Sequence, residues 1–440
     1  MTNPAATALE PPAGRKQDWR VLLAILAITS CVEGIGVSQI FAFMPSLLKS
    51  MGVPEAERLQ FVGLFGALIF VVGMPLVPLW GVWADKYSRK VVIVRSALVE
   101  AVVFVCVALS REPWQLALSM LLVGLQLGNT GVMLGAIRDS APTGRIGVAL
   151  AWFGSAGPIG FAIGPVIGAI VVDSLGWGLP AVFAISALLS LGTAALVTFG
   201  SVEVRPEVIP TGRSIDLAFG AVRGVFGDRA TRRIFAIFFV SFLAQQISRP
   251  YIPVLVAEVN GPVDEASAIG LVIGAAALVG ALFAPIGGWL GDRIGYRWVL
   301  LGALVGAGVA SLLMTVAPTV LSLAVVALGL AALYAVVAPM VFALLATEVA
   351  PERRSQTLNL VYLPLYFGGI VGPILASQVV KFGITAPFVL AAVVYLAGGV
   401  AVGVQAVRLR SSRGREAAAA VDAQDVARLE SEGVAETNIG

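Results

Sequence analysis

Gly81-Val82-Trp83-Ala84-Asp85-Lys86-Tyr87-Ser88-Arg89-Lys90 and Gly288-Trp289-Leu290-Gly291-Asp292-Arg293-Ile294-Gly295-Tyr296-Arg297 are two versions of one decapeptide, 207 residues apart. Each places a glycine and, four residues later, an aspartate at the end of a long apolar run, and then a cluster of basic residues. Working outward, other landmarks recur near the same offset: Pro45 as Pro253, Gly164-Pro165 as Gly372-Pro373, and Arg145 as Arg354. The chain is therefore read as a duplication, and the runs that flank each copy decide what was duplicated.

Those runs are long enough to cross a bilayer, which takes about 20 apolar residues per helix. Spans are expected from about 20 to 48, where the run is too long for the core of a cleaved signal peptide, and near 59–80, 91–110, 114–137, 146–172 and 179–199. A second set is expected near 234–257, 267–290, 298–316, 319–346, 355–380 and 385–407. The organisation read from this is a tail over 1–19, a six-helix bundle over 20–199, a linker over 200–233, a second bundle over 234–407 and a tail over 408–440. The fold class is all-α membrane protein, with twelve transmembrane helices in two pseudo-symmetric six-helix bundles. Parallel repeats of this kind, related by an axis along the membrane normal, are one way secondary transporters are built.

Composition agrees. Hydrophobic residues make up 58% of the 440 and charged ones 12%, where a soluble domain carries about 25% charged. Lys49, Arg58, Arg111 and Lys381 fall on one side of the expected membrane, Arg249 lies inside it, and the rest of the 29 basic residues fall on the opposite side. By the positive-inside rule that basic side, with both termini, is cytoplasmic. The asymmetry accounts for the net charge of +3 and suits contact with anionic lipid headgroups rather than nucleic acid. The absence of histidine removes histidine-dependent catalysis and imidazole metal sites, so no metal or cofactor is expected. No Gly-Lys pair is present, which excludes the phosphate-cradling loop of ATP-driven pumps. Asp85 and Asp292 sit at span ends, which argues against a protease with paired intramembrane aspartates.

The decapeptides resemble the signature of the major facilitator superfamily, Gly-x-x-x-Asp-Arg/Lys-x-Gly-Arg/Lys-Arg/Lys. The first copy departs only at Ser88 and the second only at Tyr296. The resemblance covers about residues 20–408 and implies the major facilitator fold. It also implies a conformational latch on the cytoplasmic side made by Gly81, Asp85, Arg89, Lys90, Gly288, Asp292, Arg293, Gly295 and Arg297. Gly160-Phe161-Ala162-Ile163-Gly164-Pro165-Val166-Ile167-Gly168-Ala169 is similar to the antiporter-type signature Gly-x-x-x-Gly-Pro-x-x-Gly-Gly, with a weaker echo at Gly368, Gly372 and Pro373. Glycines four apart make a flat helix face, and proline removes a backbone donor. Gly160, Gly164, Pro165, Gly168, Gly372 and Pro373 are accordingly expected to form bendable contacts between the halves. This branch of the family expels drugs against protons. Its members usually carry an arginine in span 4, four residues before a glycine, where this chain has Met120 before Gly124.

Ionisable groups inside a membrane cost about 2.5–3.5 kcal/mol on insertion scales and are functional hypotheses by default. Glu33 lies midway along span 1, sharing a face with Thr29 and Ser30, and is the candidate for carrying a proton or a cationic group. Glu100 lies in span 3, which is peripheral in the family, with no partner at helical spacing; interhelical pairing is its expected role. Span 7 carries Ser241, Gln245, Ser248 and Arg249 on one stripe before Pro250 and Pro253, which should kink it. Arg249 is suited to an anionic group or to an ion pair with Glu258. Gln126 and Asn129 in span 4, and Asn359 and Tyr362 in span 11, complete the expected proton-binding or substrate-binding set. Such a wall, apolar with few polar groups, suits a small amphipathic compound better than a sugar. The expected activity is secondary active transport by alternating access: export of such a compound, with protons as the coupling ion. Uptake or exchange of a sugar or organic anion is the alternative. The expected setting is the bacterial inner membrane, with the chain acting as a monomer.

Overall fold

The computed structural model describes residues 17–206, 209, 211–226, 229–348 and 363–408, and the regular elements among them are helical. The first half contains α1 Trp19–Ser50, α2 Glu55–Lys86, α3 Arg89–Leu109, α4 Pro113–Val123, α5 Asn129–Ser140, α6 Ile146–Ala169 and α7 Leu179–Gly200. A short helix, α8 Ser214–Phe226, lies in the linker and packs against α2. The second half contains α9 Arg229–Ser248, α10 Ile252–Asn260, α11 Glu265–Ile294, α12 Tyr296–Met314, α13 Val320–Glu348, α14 Leu363–Val379 and α15 Ala386–Arg408. Among the described residues, ten stretches of helix are individually long and apolar enough to cross a membrane. The other two expected spans are each assembled from two shorter helices.

The breaks in those two spans have local causes. Span 7 gives way at Pro250 and Pro253, where missing backbone donors leave a 3₁₀ turn, Arg249–Tyr251, between α9 and α10. Span 4 was expected to be continuous over 114–137 and is instead interrupted between α4 and α5. Gly124, Gly128 and Gly131 are poor helix formers, and Gly128 turns the chain at φ +97°, a conformation that favours glycine. The two decapeptides differ for a similar reason. Gly295 ends α11 at φ +95°. Ser88, in the matching place, sits at φ −163° and can be any residue; its hydroxyl caps α3 by accepting from the Val91 amide at 3.0 Å.

The buried apolar residues fall into three clusters whose membership describes the state of the molecule. On the side away from the basic residues one cluster joins both halves, with Phe43, Leu48, Phe65, Phe104 and Met120 from the first packed with Tyr251, Val256, Ile269 and Phe388 from the second. On the basic side there are two. One holds Leu26, Val92, Met133 and Phe153 of the first half; the other holds Phe238, Leu300, Val341 and Tyr395 of the second. The halves are thus fused at one end and parted at the other. Between them α6 packs on α11 and α2 on α14.

Candidate functional site

The interruption of span 4 builds the first-half site. Asn129, freed to begin α5, donates a hydrogen bond from its side-chain amide to Glu33 Oε1. Gln126 is held in the turn, where its carbonyl accepts from Ser96 Oγ, while its own side-chain oxygen has no partner. Glu33 and Asn129 are therefore brought together, while no contact joins the Gln126 side chain to them among the described residues. The Thr29 hydroxyl does not join them; it donates to Ile25 O of its own helix at 2.9 Å.

Glu100 belongs to the same site, which span-by-span reading missed. It is 1% exposed, sits against Gly36 and Phe104, and lies within electrostatic reach of Glu33. Among the described residues neither carboxylate oxygen has a well-formed hydrogen bond, and the polar group beside it is the Ser190 hydroxyl of α7. The polar groups beside Glu100 come from other helices, Ser190 of α7 and Glu33 of α1. Gln39, also unmarked in the sequence, ties α1 to its neighbours by donating to Gly164 O at 3.1 Å and accepting from Ser186.

In the second half the stripe resolves into used and unused groups. Ser241 donates to Ile237 O at 2.7 Å and Ser248 to Gln245 O at 3.3 Å, so both hydroxyls serve their own helix. Gln245 Oε1 and both polar atoms of the neighbouring Gln246 side chain are buried without partners. Arg249 makes no ion pair among the described residues; the expected pairing with Glu258 is not found. Its guanidinium lies instead over the rings of Phe41, at 4.2 Å, and Phe161, at 4.7 Å, both supplied by the first half. Asn359 and Tyr362 lie outside the described residues.

The family-like decapeptides form a network in one half and a looser arrangement in the other. Arg89, 3% exposed, donates to Asp85 at 2.8 Å and to Asp139 at 2.8 Å, and Arg138 donates to Asp139 at 2.9 Å. Partial burial pushes the Asp139 carboxyl up, but hydrogen bonds from Arg138 and Arg89, with their charges, outweigh this and hold it below the usual carboxylate range. Glu203 at the start of the linker accepts from Ser88 Oγ, from Arg89 N at 2.9 Å and from Lys90 N at 3.5 Å, while Lys90 Nζ reaches Ser201 O at 2.7 Å. In the second copy Asp292 accepts from Tyr296 OH at 2.7 Å, and Arg293 stacks on Trp289 at 4.1 Å. Gly81 and Gly288 have nothing within 4 Å of a side chain built on them.

The glycines of the antiporter-like stretch do not touch the other half. Gly160 faces Cys31, Gly164 faces Ile35 and Ser38, and Gly168 faces Phe43, all on α1. Gly372 likewise meets Gln246 and Leu243 of α9. The contact between halves uses the opposite surface of α6. A Cβ on Gly270 of α11 would lie 2.6 Å from Pro165 O, and one on Gly274 would lie 2.7 Å from Ala162 O. Pro373 meets α2 in the equivalent way, its carbonyl 2.6 Å from a Cβ on Gly63. The expected hinge glycines thus bind each half together, while Pro165 and Pro373 lie at the seam.

Polar contacts close the fused end. Glu265 accepts from Ser46 at 2.9 Å and from Lys49 at 2.7 Å, the Ser267 amide donates to Asp173 at 2.6 Å, and Tyr251 OH donates to Leu59 O at 2.9 Å. A cavity of about 340 Å³ behind Lys49, Asp173 and Glu265 opens to this side. It is remote from the buried carboxylates.

A family model described as Major Facilitator Superfamily matches residues 26–263 and 234–430. The chain is 27% identical to Multidrug resistance protein MdtG of Enterobacter lignolyticus (strain SCF1) over 416 residues, 93% of this chain and 96% of the relative. It is 27% identical to the protein of that name from Yersinia enterocolitica over 391 residues, 87% of this chain and 92% of the relative. Among solved structures, the nucleoside transporter NupG superposes with a TM-score of 0.71 at 17% identity, covering 87% of this chain and 98% of the other.

Proposed function

Because this chain belongs to the major facilitator superfamily, it is a multi-pass membrane transporter and not an enzyme, and we propose that it exports a small amphipathic compound by proton antiport. The observation that carries this reading is the arrangement of the cores, fused at one end and parted on the basic side. Such an arrangement suits an inward-facing carrier loading from the cytoplasm. The halves over 20–199 and 234–407 tilt about the α2–α14 and α6–α11 seams, with 200–233 as the tether between them.

In this reading Glu33 and Glu100 hold the coupling proton. Two carboxylates confined in a low-dielectric site resist being ionised together, so proton uptake and release become linked to which side the site faces. Coupling through the span 4 arginine of related antiporters is replaced, since Met120 is fully buried in the apolar core. One elementary charge crossing the membrane is worth about 2.3 kcal/mol per 100 mV, enough to drive export uphill. The MdtG relatives, named for multidrug resistance, support the substrate class. The bacterial inner membrane, both termini in the cytoplasm and a monomeric carrier complete the reading.

The test is retention of a lipophilic dye. Cells lacking the gene should accumulate more dye than cells expressing it, and an uncoupler should abolish the difference. Equal retention with and without the protein would remove the export assignment.

A further inference from the structure

The most unusual side chain the transport reading leaves unassigned is Arg249. A guanidinium carries five N–H donors in a planar fork and no acceptor. Here the charge is covered by two aromatic rings, at 4.2 and 4.7 Å. Ring stacking can satisfy the faces of the cation, but it leaves the edge, where the donors point, without acceptors. No described residue accepts a hydrogen bond from that edge.

The carboxylates of this region do not neutralise Arg249. Glu33 accepts from Asn129 and lies two turns before Phe41, about 12 Å along α1 at 1.5 Å per residue. Glu100 is buried against Gly36 and Phe104, and Glu258 is exposed on α10. The remaining polar neighbours are Tyr334, within electrostatic reach of Arg249, and Gln245 one turn earlier on α9, whose side-chain oxygen has no partner. The Tyr334 hydroxyl donates to no described residue. The Arg249 edge and the Tyr334 hydroxyl, donors without a described acceptor, thus lie beside the rings of Phe41 and Phe161 and of Phe242, which packs on Tyr334, while the Gln245 oxygen, an acceptor, contributes nothing to holding an anion.

We propose that this spot binds an organic anion, a planar two-oxygen acid group on the Arg249 edge and an aromatic or alicyclic body against the phenylalanine rings. The chemistry of the head group follows from the donor fork, which matches a carboxylate bidentately, and that of the body from the rings. The proposal rests on the export reading and narrows its substrate class. Arg249 comes from the second half and its rings from the first, so a bound anion spans the seam between the halves. The cation need not lose its ring contacts to accept it.

The probes are N-dansylglycine and its primary amide, which share a body and differ in head-group charge. Binding to the full chain in lipid nanodiscs is read from dansyl fluorescence, for wild type, Arg249→Met and Arg249→Lys. Wild type should bind the acid at least about tenfold more tightly than the amide, which corresponds to about 1.4 kcal/mol. Arg249→Met should bind both alike, the preference for the acid being lost. Arg249→Lys, which keeps the charge without the fork, should retain only part of the preference. Equal binding of acid and amide by wild type overturns the anion site, and so does a preference that survives in Arg249→Met. Should Arg249→Met fail to fold, as judged by gel filtration, the wild-type ratio and its reduction in Arg249→Lys decide the matter. Efflux of both probes from preloaded proteoliposomes is measured alongside: equal binding with efflux of both removes only the anion site, whereas no binding and no efflux of either removes the export reading as well.

Discussion

Substituting Gly63→Ala should push the molecule out of the state described here. A Cβ at position 63 would lie 2.6 Å from Pro373 O, 2.7 Å from Tyr251 OH and 2.9 Å from Ser377 Cβ, all on the other half. Two of these are held by helix backbone or by the Tyr251 bond to Leu59 O, so α2 and α14 must part. Overpacking of this kind costs about 1–3 kcal/mol, and loosening the tyrosine bond adds about 0.5–1.5 kcal/mol. The gain in helix propensity from replacing glycine, about 1 kcal/mol, applies to both states and cancels between them. The cost falls only on the state whose fused end is shut. A net cost of about 3 kcal/mol therefore shifts the balance toward the alternative state by roughly 150-fold. Spin labels on Val148→Cys and Ile294→Cys, exposed positions on the basic ends of α6 and α11 at 53% and 54%, report the gap by pulsed electron resonance once Cys31 and Cys106 are replaced. The long distance should lose population to a shorter one. An unchanged or lengthened distribution in a well-folded Gly63→Ala protein would show that this seam does not set the state.

Gly81→Ala and Gly288→Ala should act in the opposite sense, because nothing lies within 4 Å of either added methyl here while the closed basic side would have to accommodate it; the same labels should show the long distance more populated. Asp139→Asn should lower the melting temperature, since it removes a charged acceptor from the buried Arg89, an effect of about 1–3 kcal/mol. Because the Asp139 carboxyl is held below its ordinary range, its contribution is present above about pH 4, the unfolded value, and fades as pH falls through the folded one. A melting-temperature profile of Asp139→Asn should therefore converge with wild type at low pH. Glu100→Gln should raise the melting temperature at alkaline pH, as it removes the need to bury a charge without partners, and should slow pH-driven flux; a destabilised but fully coupled variant would argue that Glu100 is structural.

The fold was legible because its signals are repetitive. Apolar runs of spanning length and a decapeptide repeated after 207 residues survive errors of several residues at every boundary. The kink in span 7 was legible for a related reason, since Pro250 and Pro253 act locally. The interruption of span 4 was within reach of the same logic through Gly124, Gly128 and Gly131, but glycine is common in membrane helices and so marks a break less sharply than proline. What the sequence hid was direction. Spacing shows that Gly160, Gly164 and Gly168 share a face, yet not that the face meets α1 rather than α11. It shows that Glu100 lacks a partner on its own helix, yet not that it lies within electrostatic reach of Glu33. Arg89 reads as one of several latch residues, yet the sequence does not show that contact with Asp85 and with Asp139 of another helix leaves it 3% exposed. Contacts between helices are fixed by packing across the bundle, and a single chain read along its length carries no record of them.

The central claim is that a proton held by Glu33 drives the passage of an amphipathic solute between alternately opened ends. Proteoliposomes preloaded with a dansyl probe should lose it faster when a pH gradient is imposed, and Glu33→Gln should abolish that acceleration while leaving downhill exchange intact. Equal acceleration in wild type and Glu33→Gln would contradict the claim.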